Sequence, residues 1–160
     1  MDCRKKVLGT EHPSTLESMA NPASSFANQE RWEESERLLT HIVKSFMGPL
    51  GVHNSPTLAS MANLASTLSN QGRWDEAEEL EVQVIETRKR VLGPEHPDTL
   101  TAMGNLAFTF KSRSRNKEAI SLMETCFQLR ERVLGSDHPD TESCLEILIE
   151  WQMENIEIGV

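Results

Sequence analysis

The chain contains no tyrosine and only five Phe and three Trp among its 160 residues. A single thick globular core draws on large aromatic side chains, so a thin core of Leu, Ala, Met and Val is expected instead. Basic charge is also scarce: 16 Lys and Arg stand against 25 Asp and Glu, a net charge of −9. Nucleic acid and anionic membrane both need a basic footprint, so neither is an expected partner. No apolar run approaches the length of a membrane span, and no apolar signal-peptide core follows Met1. The three cysteines, Cys3, Cys126 and Cys144, are odd in number and show no C-x-x-C spacing. Reduced thiols, and with them a cytoplasmic location, are the simplest account. No G-x-x-x-x-G-K, H-E-x-x-H or G-x-S-x-G occurs. An enzyme is therefore not expected, and no catalytic residue, metal site or cofactor is assigned.

What the sequence does have is an internal repeat. Leu8-Gly9, Leu50-Gly51, Leu92-Gly93 and Leu134-Gly135 fall 42 residues apart each time. Met19/Met61/Met103, Asn21/Asn63/Asn105, Arg31/Arg73/Arg115, Glu34/Glu76/Glu118 and Leu38/Leu80/Leu122 keep the same step. Segments 7–48 and 49–90 agree at 17 of 42 positions without a gap, and 49–90 and 91–132 agree at 15.

Each unit reads as two helices. In the middle unit Leu58, Met61, Leu64, Ala65 and Leu68 recur at helical spacing. Gly72 suits a left-handed C-terminal position. Asp75 is placed to cap the next helix with Glu78 as its box partner, and Ala77, Leu80 and Val84 form that helix's apolar face. Acidic residues open the second helix and Arg88-Lys89-Arg90 close it, the order a helix dipole prefers. Three antiparallel pairs follow: about 14–29 with 33–47, 56–71 with 75–91, and 98–113 with 117–133. A terminal helix over about 140–155 carries Leu145, Leu148, Ile149, Gln152, Met153 and Ile156 at helical spacing and covers the end of the stack.

Arg88-Lys89-Arg90-Val91-Leu92-Gly93-Pro94-Glu95-His96-Pro97-Asp98-Thr99-Leu100, with Met61-Ala62-Asn63-Leu64-Ala65 and Gln71-Gly72-Arg73-Trp74-Asp75-Glu76-Ala77-Glu78, resembles the tetratricopeptide repeat. The likeness is to its 42-residue kinesin-light-chain form, as found in fungal NLR-like proteins where a nucleotide-binding switch domain precedes the array. It covers nearly the whole chain. The resemblance implies one all-α domain over 1–160: an antiparallel helix-pair solenoid of three pairs (repeats about 14–48, 56–91 and 98–133) plus a C-terminal capping helix. The implied function is a scaffold holding a peptide or partner protein. The alternative is a regulatory or ligand-sensing array of an NLR-like switch protein.

In such arrays the first helices line a concave groove. The expected peptide-binding residues are therefore Asn21, Asn63, Ser66, Asn70, Asn105, Phe108, Lys111 and Ser112. An asparagine amide both donates and accepts, matching a peptide unit, although it also serves to hold neighbouring helices in register. Lys111, Arg113 and Arg115 mark a basic end to the groove. Departures from the pattern are Pro22 inside the first helix, Ser114 in place of the turn glycine, and Lys117 in place of the capping Asp. His12, His96 and His138 fall in different repeats and read as connector structure, and Trp32 and Trp74 as packing at the turns. Trp151 has no repeat mate, and exposure and packing are equally open to it. The start in mid-helix is expected to leave an uncovered N-terminal end, inviting self-association.

Overall fold

A computed structural model describes residues 31–47, 53 and 55–158. The first helix of the first pair, with Asn21 and Pro22, and the N-terminal end expected to self-associate lie outside the described residues. Six helices are described: α1 Trp32–Met47, α2 Ser55–Asn70, α3 Trp74–Val91, α4 Pro97–Ser112, α5 Asn116–Leu134 and α6 Pro139–Ile158. The fold is an all-α solenoid of paired antiparallel helices with a capping helix. No described helix is long and apolar enough to cross a membrane. The chain divides into two compact units, Met1–Thr87 and Arg88–Val160, the division falling inside α3.

In the first unit α1 packs on α2. Leu39 and Ile42 of α1 are buried, as are Leu58, Met61, Leu64, Ala65 and Leu68 of α2. Only a narrow strip of α2 remains open, because Thr57, Ser60 and Thr67 are buried as well. The Thr67 hydroxyl donates to the Asn63 carbonyl at 3.0 Å, so the buried Ser35 hydroxyl, 3.2 Å away, is the donor in its bond to Thr67. The Ser35–Thr67 pair satisfies two buried hydroxyls where α1 packs on α2.

The α2–α3 turn is a Schellman motif. The Arg73 amide donates to the Leu68 carbonyl at 2.9 Å and the Gly72 amide to Ser69 at 3.0 Å. Gly72 takes φ of 76°, as its glycine suggests. The α4–α5 turn repeats the geometry without the glycine. Arg115 donates to Phe110 at 2.9 Å and Ser114 to Lys111 at 3.0 Å, with Ser114 at φ of 60°. The loss of glycine has not changed the turn.

Asp75 does not cap. Helix α3 already begins at Trp74, and the Ala77 amide donates to the Arg73 carbonyl at 3.1 Å, which places Asp75 inside the first turn. The recurring Arg and Glu stabilise this end instead. Arg73 grips Glu76 through two bonds, Nε to Oε1 at 2.7 Å and Nη2 to Oε2 at 2.6 Å. Arg115 grips Glu118 in the same way at 2.6 Å, and Arg31 forks onto Glu34. Hydrogen bonding to the guanidinium holds the carboxyls of Glu34, Glu76 and Glu118 below the usual carboxylate range.

In the second unit α4 packs on α5, and α5 on α6. The connector histidines are helix caps. His96 Nδ1 accepts from the Asp98 amide at 3.1 Å, and His138 Nδ1 from the Asp140 amide at 3.1 Å. Pro97 then fills a first-turn position whose amide needs no partner. The first arginine of Arg88-Lys89-Arg90 reaches across the connector, as does Arg130 one repeat later. Arg88 donates to the Asp98 carbonyl at 2.8 Å and Arg130 to the Asp140 carbonyl at 3.0 Å.

Helix α6 buries only part of the apolar stripe the sequence emphasises. Thr141, Cys144, Leu148 and Trp151 are buried, whereas Leu145, Ile149, Met153 and Ile156 are exposed. The buried set stands 42 residues after Thr99, Ala102, Leu106 and Thr109, all buried in α4. The exposed Leu145 and Ile149 are also in phase with buried residues of α4, Met103 and Ala107, so contact with α5, not repeat phase alone, decides which side of α6 is packed.

Candidate functional site

The first helix of a pair offers one accessible strip because its remaining faces are packed. On α2 the strip runs through Ala59, Asn63, Ser66 and Asn70, at i, i+4, i+7 and i+11. Asn63 and Asn70 are exposed and Ser66 is half-buried. The Ser66 hydroxyl turns back to the Ala62 carbonyl at 3.2 Å, leaving its oxygen as an acceptor. On α4 the same phase holds Thr101, Asn105, Phe108 and Ser112, of which Asn105 is half-buried and the other three are exposed. The predicted residues of each unit thus share one face of their helix. Asn21 lies outside the described residues.

Lys111 stands at the edge of the α4 strip and is committed to α6. Its Nζ donates to Glu154 Oε2 at 2.6 Å and lies 5.7 Å from the centre of the Trp151 ring. Phe108 meets the same ring edge-on, with centroids 5.1 Å apart and planes at 85°. Trp151, with no second tryptophan at its repeat phase, is therefore a buried anchor for an aromatic and cationic cluster. The basic end expected from Lys111, Arg113 and Arg115 is compensated. Glu154 answers Lys111, while Arg115 is held by Glu118 and lies 4.3 Å from the Phe110 ring centre.

Sequence reasoning missed Glu154 and underused Trp151. Repeat phase was the available signal, since Trp151 follows Thr109 by 42 residues and Thr109 is buried. Cys126 and Cys144 are buried, with Cys126 Sγ donating to the Leu100 carbonyl at 3.3 Å and Cys144 Sγ 3.3 Å from Met123 Sδ. The two thiols are coupled in opposite directions: their mutual hydrogen bond, followed by burial, pushes the Cys144 thiol up, and the same bond lowers Cys126 to about 7. Among the described residues no group of three or more His, Cys, Asp or Glu is placed to hold a metal ion.

The surface left accessible on α2 and α4 is narrow, mostly uncharged and rich in amides and hydroxyls. It can hydrogen-bond to a peptide backbone, and Phe108 adds an apolar contact. Comparison with known proteins agrees with this architecture. A tetratricopeptide repeat profile matches residues 57–98 and 99–140. A Podosopora anserina protein described as a putative kinesin light chain with nearly identical TPR-like repeats is 28% identical. Its crystal structure superposes with a TM-score of 0.81, covering 98% of this chain and 74% of that one. A point-substituted form of that protein gives a TM-score of 0.83 at 28% identity and the same coverage. BtubC (BKLC) from P. vanneervenii, at 15% identity, shares the fold with a TM-score of 0.80 over 98% of this chain and 63% of its own. No curated protein matches.

Proposed function

The chain belongs to the tetratricopeptide repeat family, and from that membership we propose that it is a protein-interaction scaffold whose first helices take up an extended peptide. The observation that carries this is the strip at i, i+4, i+7 and i+11 on α2, which recurs at the same phase on α4. Each strip presents one asparagine, Asn63 or Asn105, able to pair with both the N–H and the C=O of a peptide unit. Asn70, Ser66 and Ser112 extend the polar lining, and Phe108 offers an apolar contact. The compensation of Lys111 by Glu154 favours a ligand held through its backbone over one held by an acidic side chain.

A displayed peptide library selected on the protein supplies a ligand for the test. Calorimetry on Asn63→Ala/Asn105→Ala is expected to show affinity lower by at least about tenfold, the scale of two lost peptide-backbone contacts. Unchanged affinity in the double variant rules out the asparagines as anchors and leaves them as register-holding residues.

The second proposal, a regulatory or ligand-sensing array of an NLR-like switch protein, rests on the resemblance of the repeat residues to the arrays of fungal NLR-like proteins. Its discriminator is a nucleotide-binding segment encoded upstream in the same gene.

A further inference from the structure

Helix α6 leaves a second surface that the peptide-binding strips do not use. Leu145, Ile149, Met153 and Ile156 are 39%, 47%, 60% and 69% exposed, an apolar stripe along one side of the helix. Beside it Glu146, Ile149, Glu150, Met153, Glu154 and Glu157 line a shallow cleft of about 420 Å³. The repeat explains why such a face exists. Leu145 and Ile149 stand 42 residues after Met103 and Ala107, and 84 after Met61 and Ala65, all four buried. In the preceding pair α4 packs against a second helix, α5.

We infer that this face docks a basic amphipathic α-helix of a partner protein, set beside α6 as a second helix sits beside a first. Charge determines the occupant. Between Pro139 and Ile158 the chain carries Asp140, Glu142, Glu146, Glu150, Glu154 and Glu157 and not one Lys or Arg. Glu154 is engaged by Lys111, but Glu146, Glu150 and Glu157 border the apolar stripe directly. A helix with apolar residues at i, i+4 and i+8 and Lys or Arg on its flanks satisfies both features. A second copy of α6 does not, because it brings glutamates against glutamates in a chain of net charge −9. The 20 residues of α6 span roughly 30 Å, enough for a partner helix of five turns.

The probe is a labelled helical peptide of about 20 residues, matching that span, with Leu at i, i+4, i+8 and i+11 and Lys flanks. A control peptide carries Glu flanks on the same Leu pattern. Fluorescence anisotropy on the full chain is expected to show saturable binding of the Lys peptide, with the Glu peptide at least about tenfold weaker. Ile149→Ser/Met153→Ser and, separately, Glu146→Lys/Glu150→Lys are each expected to lower affinity by about tenfold or more. These positions are exposed, so melting curves should stay close to the parent's. Equal binding of the two peptides, or binding unmoved by either double variant, overturns the proposal. So does a dimer in sedimentation velocity that Ile149→Ser/Met153→Ser abolishes, since a second copy then covers the face. Asn63→Ala/Asn105→Ala should leave the probe's affinity unchanged, which separates this surface from the peptide-binding strips.

Discussion

Ser114 occupies a backbone conformation that L-residues adopt at a cost of roughly 1–2 kcal/mol, yet its turn carries the same hydrogen bonds as the one closed by Gly72. The residue is exposed and no packing depends on its side chain. Ser114→Gly is therefore expected to stabilise the protein by about 1 kcal/mol, since relief of the left-handed strain exceeds the entropy that glycine adds to the unfolded chain. Urea unfolding measures it, and a midpoint that does not rise shows the turn to be unstrained. Gly72 could be read from the sequence because glycine announces a left-handed turn. Ser114 could be read only by its register with Gly72, which places a turn there but not its strain. The buried Trp151 was legible in part: its register with Thr109 and Thr67 gives burial, while residue type suggests a different size and partner set.

At the level of the helix, the Arg–Glu forks set how the second helix of each unit begins. Glu76 is held below the ordinary carboxylate range by Arg73, so the folded chain takes up its proton at lower pH than the unfolded chain does. The stabilisation is complete above the unfolded carboxyl's pKa and is lost as pH falls through the folded value. Arg73→Gln is expected to flatten the acid limb of the unfolding midpoint plotted against pH. An acid limb identical to the parent's counts against the fork. Both members of the fork were visible in the sequence as a 42-residue periodicity, but their pairing becomes evident only once the helix start is fixed three residues before Ala77. Misplacing that start made Asp75 look like the cap. Helix α6 shows the limit of hydrophobic periodicity: two faces compete, both in phase with buried residues of α4, and the more apolar one stays exposed while the one holding Leu148 and Trp151 is packed.

Across the whole molecule, polar ties run between sequence neighbours and between adjacent helices within each compact unit. In such an array stability is approximately a sum over units and their nearest-neighbour interfaces. Trp151→Ala removes the ring that Phe108 and Lys111 contact, and truncation of a buried aromatic costs about 3–5 kcal/mol. Hydrogen exchange is expected to show protection falling first in 97–158 and less in 55–87. A uniform fall across both segments would mean that the chain opens as one cooperative body. The connector bonds carry a further consequence. Arg88 reaches the carbonyl of Asp98, and Arg130, one repeat later, reaches that of Asp140. Unequal crossing-over between those two points, deleting the stretch from Lys89 to Arg130, would bring Arg88 to the Asp140 carbonyl at the same ten-residue separation. Gene rearrangement can thus shorten or lengthen the array by whole repeats while each junction inherits a donor and an acceptor already in place.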